Sequence, residues 1–185
     1  MARLFTIGIE QDAQGSTFEF DASNTTAATS GVTFRSGAYS LSIPSLTSGS
    51  GAYSRIQYLS AEGSATIFFR CYVHFDAFPT AANAIIGFND SGGTGTFGVY
   101  LTVDETGALR LFDEDGQIGN ASSALATTAG LWYRIEVKID TVPATGSREV
   151  RALIDSTEFA GAANRSIADA NRPFHLVIGG NLLLI

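Results

Sequence analysis

The sequence predicts an all-β chain folded as a two-sheet sandwich or a barrel. Three observations carry this expectation. Short runs alternate apolar and polar residues, and clusters of Gly, Ser, Thr, Asn and Asp separate them at intervals of about ten to twenty residues. No apolar stripe at the 3.6-residue helical period runs for a useful length.

The elements follow in chain order. "LFTIGI" predicts a strand at Leu4–Ile9, and further short runs predict Thr17–Asp21, Tyr39–Ile43 and Ser54–Leu59. In "TIFFRCYVHF", Thr66–Phe75, the apolar set is Ile67, Phe69, Cys71, Val73 and Phe75, leaving Thr66, Phe68, Arg70, Tyr72 and His74 opposite. Ala84–Phe88 and Phe97–Val103 follow; in the second, Phe97, Val99, Leu101 and Val103 oppose Gly98, Tyr100, Thr102 and Asp104. Leu109–Phe112 runs into the acidic turn "DEDG". Trp132–Asp140 places Tyr133, Ile135, Val137 and Ile139 on one face and Trp132, Arg134, Glu136, Lys138 and Asp140 on the other. Val150–Asp155 and Phe174–Ile178 complete the set, with one helical turn expected in "RSIADANRPF" before Pro173. "SLTSGSGAYS" and "NDSGGTGT" read as loops.

A chain of 185 residues falls within the size of one β domain, and folding at that size buries roughly 70% of the unfolded surface. No repeat or linker divides it, so residues 1–185 are expected to form a single domain. Cys71 is the only cysteine, which rules out an intrachain disulfide and suits a small buried hydrophobe. The start "MARLFTIGIE" lacks the long apolar core of a secretory signal, so export by the general route is not expected. No run approaches 18 consecutive apolar residues, and a membrane partner is not expected. The net charge of −7, from 11 basic and 18 acidic residues, with cations scattered singly, argues against nucleic acid.

The polar faces of the three long strands set the functional question. If the strands are neighbours in one sheet, Arg70, Tyr72, His74, Tyr100, Trp132, Arg134 and Glu136 form one patch of aromatics and hydrogen-bonding groups. Such a patch has three readings: sheet cover stabilised by cross-strand pairs, a protein interface, where Tyr, Trp and Arg dominate binding energy, or a glycan site, where rings stack on sugar faces.

Residues Gly107–Asp155 resemble the laminin-G-like branch of the concanavalin A-like lectin and glucanase superfamily. The likeness rests on a strand ending in an acidic turn, a Ser/Thr-rich loop, Leu131-Trp132-Tyr133 before an alternating strand, and a later strand ending in Asp155. "SGAYSLSI" and "ATIFFRCYVHFDAFP" are similar to that family's opening and central strands, and the likeness spans roughly residues 35 to 180. It implies a concanavalin A-like jelly-roll sandwich of two antiparallel sheets. The opening "MARLFTIGIE" also resembles versions of the domain in virion proteins of tailed bacteriophages. That implies a virion structural or decoration protein, on capsid or tail, folded in the host cytoplasm. Its partners would be other virion proteins or itself as a homo-oligomer such as a trimer, with surface glycans a further possibility. The alternative is a carbohydrate-binding module.

The sequence departs from the family at two places. Asp155 is followed by Ser156 where Asp-Gly is usual, and the chain ends at Leu182, Leu183, Leu184 and Ile185 where a further strand is expected. Either the last strand is lacking or these four aliphatic residues dock on another chain.

Catalysis is not expected from the sequence. Retaining glucanases of the superfamily present two carboxylates about 5–5.5 Å apart in a Glu-x-Asp-x-x-Glu pattern, which does not occur here. Glu136 and Asp140 share a face but lie roughly 13 Å apart along a strand. His74 and His175 are the only imidazoles and have no zinc or nucleophile spacing. No cofactor is expected. Calcium is the one metal to weigh, at Asp113 and Asp115 in "DEDGQ", although the EF-hand spacing is missing.

Overall fold

A computed structural model describes residues 22–23, 28–30, 40–42, 53–57, 66–89, 97–140, 146–165 and 175–179. Within them every regular element is a strand: β1 (Ala22–Ser23), β2 (Ala28–Ser30), β3 (Ser40–Ser42), β4 (Tyr53–Gln57), β5 (Thr66–Val73), β6 (Asn83–Asn89), β7 (Phe97–Val103), β8 (Leu109–Asp113), β9 (Gly116–Ile118), β10 (Tyr133–Asp140), β11 (Arg148–Ile154), β12 (Thr157–Arg165) and β13 (His175–Gly179). A seven-stranded sheet has the order β1-β4-β13-β6-β7-β8-β9, a four-stranded sheet the order β12-β11-β10-β5, and β2 pairs with β3. Every described pairing is antiparallel. This is the expected jelly-roll sandwich.

The two large sheets bury one face each against the other. From the seven-stranded sheet come Phe88, Val99, Leu101, Leu109, Leu111, Ile118 and Leu176; from the four-stranded sheet come Ile67, Ile135, Val137, Ile139, Val150 and Ala152. These are the odd or even members of each alternating run. A one-residue slip would turn the whole set to solvent, so burial pins the register. Phe69 of β5 meets Phe88 of β6 edge to face, with ring centroids 5.7 Å apart.

Tight turns close the hairpins. Gly107, between β7 and β8, has φ 83°, and a Cβ there would overlap the Phe78 ring, so glycine is required on two grounds. Asp155 and Ser156, both with positive φ, make the two-residue loop between β11 and β12, where Ile154 faces Thr157. Positive φ at both loop positions marks a type I′ hairpin turn. Cys71 is partly buried, and burial pushes its thiol up to about 12, which keeps it protonated and unreactive.

Several expectations change. Trp132 precedes β10 instead of beginning it. Strands β1, β2, β9 and β12 were not expected. In β12, Ala160, Gly161, Ala162 and Ala163 are too small and uniform to show an alternation. The expected strands Leu4–Ile9 and Thr17–Asp21, the turn before Pro173, and the docking tail Leu182, Leu183, Leu184 and Ile185 lie outside the described residues.

Candidate functional site

The expected single patch is split between two sheets. Arg70 and Tyr72 on β5 and Arg134 and Glu136 on β10 are cross-strand partners, Glu136 with Arg70 and Arg134 with Tyr72. Tyr100 sits on β7 in the other sheet. Alternation told which face each residue occupies but not which sheet, and the connection from β5 through β6 to β7 changes sheets.

The outer face of the four-stranded sheet is a lattice of charges that satisfy one another. The Arg70 Nε–H donates to Glu136 Oε1 at 2.6 Å, and Arg134 Nε lies 3.5 Å from Glu136 Oε2. Lys138 pairs with Asp140 at 3.4 Å and closely with Glu149. The Arg151 guanidinium reaches Glu149 and Glu158, each at 2.8 Å. The Glu149 carboxyl is held below its usual range by hydrogen bonds from Arg151 and then Lys138. Lys138 is raised, chiefly by its hydrogen bond to Glu149.

At one end of this face, His74 is held on both ring nitrogens. Nδ1 lies 2.8 Å from the Leu131 carbonyl oxygen and Nε2 3.2 Å from Asp76 Oδ1. Its ring lies 5.5 Å from that of half-buried Trp132. The Arg134 N–H donates to Asp155 Oδ1 at 2.9 Å, and its guanidinium contacts Ser156 Oγ. Trp132, His74 and Arg134 thus share a corner of the sandwich fixed to the β11–β12 turn.

The outer face of the seven-stranded sheet is organised differently. One cross-strand row runs through every strand: Ala22, Arg55, Val177, Gly87, Tyr100, Phe112 and Gln117 are successive Cα partners. Two residues along β4, β13 and β6, Gln57, His175 and Asn89 form the next row of the same parity. The Tyr100 and Phe112 rings stack in parallel, with centroids 5.0 Å apart and planes 4° from parallel. Burial, and then the negative charge of Asp113, raises the Tyr100 phenol further above neutral pH. Beside it, Thr102 Oγ1 is buried with no hydrogen-bond partner among the described residues. Arg110 bridges to Asp104 Oδ2 at 3.2 Å and Gln117 Oε1 at 3.4 Å.

Sequence reasoning missed Arg55, Gln57 and Asn89 and found no zinc or nucleophile spacing at His175. No local motif could have found them, because Gln57, Asn89 and His175 meet only through the β4-β13-β6 order.

Asp113 and Asp115 flank the β8–β9 turn. Asp113 is 3% exposed. Arg165 Nε–H donates to its Oδ2 at 2.5 Å, and the Asp115 N–H to its Oδ1 at 3.0 Å. Among the described residues no three His, Cys, Asp or Glu side chains gather as a metal set.

Neither a family of known proteins nor a curated relative matches the sequence. Solved structures do match in shape. An endo-β-1,4-glucuronan lyase from the fungus Trichoderma reesei superposes with a TM-score of 0.57 at 14% identity, covering 90% of this chain and 81% of that one. An alginate lyase holding an alginate trisaccharide gives 0.53 at 17% identity, covering 71% and 65%. The cellulose-induced protein Cip1 gives 0.53 at 10% identity, covering 84% and 77%. The expectation of a non-catalytic chain is corrected on this point: two of these structures are polysaccharide lyases, and the missing glucanase carboxylates argued only against hydrolysis. The solved structures this chain resembles are sandwich folds of the concanavalin A-like kind.

Proposed function

We propose that the protein binds a polysaccharide on the outer face of its seven-stranded sheet, with the Tyr100–Phe112 pair as the aromatic wall. The observation that carries this is the pair of adjacent rows, which put Asn89 on the strand next to that wall, His175 on the strand after it, and Arg55 and Gln57 on the strand beyond. Rings that pack on apolar sugar faces, next to residues able to bond hydroxyls and carboxylates, are the chemistry of an extended glycan site. The glucuronan and alginate lyases of similar shape support the same reading. The four-stranded sheet is the weaker candidate for a glycan, because its outer face is dominated by ion pairs.

A second reading is that the same face cleaves an acidic polysaccharide by elimination. It is favoured by Arg55, His175 and a phenol held protonated lying in adjacent rows. In such a step a base takes the proton next to the uronate carboxylate, the neighbouring C–O bond breaks, a C=C bond forms, and an acid protonates the departing oxygen. Tyr100, a phenol that stays protonated, suits the acid.

The virion role keeps as its support the resemblance of residues 1–10 alone. Titration of the full chain with alginate oligosaccharides and with neutral cello-oligosaccharides tests binding. The ultraviolet absorbance of an unsaturated uronide tests elimination. Binding lost in Tyr100→Ala and kept in Trp132→Ala supports the proposed face; the reverse overturns it.

A further inference from the structure

We propose that the outer face of the four-stranded sheet is a docking surface for a second copy of this chain, stacked antiparallel about a two-fold axis that crosses β10 between Glu136 and Lys138. The axis is chosen by charge order. Along the outward face of β10 the sequence reads Arg134, Glu136, Lys138, Asp140, which is plus, minus, plus, minus. Reversed, the same four residues read minus, plus, minus, plus. A second β10 laid antiparallel across the first therefore sets Arg134 over the second copy's Asp140 and Glu136 over its Lys138, and the symmetry repeats both contacts. The pattern is self-complementary in this one orientation; a parallel stack would set each charge over its like.

Of the two strands beside β10, β5 agrees with the same axis. Phe68 and Arg70 of β5 are the partners of Lys138 and Glu136, so the axis lays Phe68 over the second copy's Arg70. A guanidinium over a phenyl ring is an attractive contact. Phe68 is 53% exposed and Tyr72 38%, and the Arg70 side chain 63%, so the apolar area and the cation are both on the open surface. Burial of the two aromatics supplies attraction, and the charge order along β10 supplies register. The contact is isologous, as a closed dimer requires. It leaves the outer face of the seven-stranded sheet of each copy turned outward, so it is independent of the polysaccharide site.

Light scattering on the purified full chain over a concentration series tests this, with variants Glu136→Lys and Lys138→Glu. The wild-type chain is expected to pass from monomer to dimer. Each single variant sets like charges over one another at both symmetry-related contacts, and its dimer should weaken at least about tenfold. An equal mixture of the two variants restores opposite charges at both contacts and should recover the dimer. Phe68→Ser, which leaves every ion pair in place, should weaken the dimer with little change in melting temperature. A wild-type chain that stays monomeric, single variants that dimerise like wild type, or a mixture no better than its components would each overturn the proposal. A partner other than this chain on the same face would appear as a monomer throughout, and so as its failure.

Discussion

The carboxylate of Asp113, at the end of β8 in one sheet, holds the guanidinium of Arg165, at the end of β12 in the other. The Asp113 side chain is 1% exposed and that of Arg165 20%, so the pair is a largely enclosed clasp across the edge of the sandwich. Removing either partner leaves the other charge enclosed and uncompensated. Asp113→Ala and Arg165→Ala are each expected to destabilise by about 3 kcal/mol, and the double variant by much less than their sum. Denaturant unfolding of the four proteins measures the coupling.

Gly107 has no room for a side chain. Gly107→Ala combines a backbone conformation that alanine disfavours with an overlap on the Phe78 ring. It is expected to cost about 2–3 kcal/mol. Gly116→Ala shares the positive φ but has open space around the added methyl, and should cost about 1 kcal/mol. Thermal unfolding of the two variants separates overlap from backbone strain.

Ser156 occupies a position of the β11–β12 turn where φ is 74°, a region that glycine enters without strain. Ser156→Gly relieves about 1 kcal/mol and gives up an exposed contact with Arg134 worth about half that. A small net gain in melting temperature is expected. A loss would show that the Arg134 contact outweighs the strain.

Asp104 gives the fold an acid-sensitive element. Burial opposes its ionisation, but hydrogen bonds from Thr106, the Ala108 N–H and Arg110 outweigh burial and hold its carboxyl below the usual range. A lowered folded-state value means that its stabilisation is complete above the unfolded value of about 3.9. The stabilisation is lost as pH falls through the lower folded value. The stability gap between wild type and Asp104→Asn should therefore be widest above that pH and close below it, as chemical unfolding at a series of pH values would show. A gap that widens toward acid would contradict the account.

Much of the fold was legible because burial imposes a period of two. β5, β7 and β10 could be read by eye, since Ile67, Val99, Ile135 and their row-mates enter a core while their neighbours do not. β12 was not, because Ala160, Gly161 and Ala162 carry too little contrast between faces. The candidate site was less legible than the fold. Tyr100 and Trp132 both stand out as aromatics on polar faces, yet a change of sheet between β5 and β7 separates them. Gln57, Asn89 and His175 are unremarkable in sequence and become a row only when β13 inserts between β4 and β6.

The most direct test of the central claim is the affinity of the full chain for a polyuronate oligosaccharide, measured by calorimetry for wild type, Tyr100→Ala and Trp132→Ala. Loss of binding in Tyr100→Ala, with Trp132→Ala unchanged, is the predicted result. Binding that survives Tyr100→Ala and disappears in Trp132→Ala would place the glycan at the Trp132 end of the four-stranded sheet and contradict the proposed site.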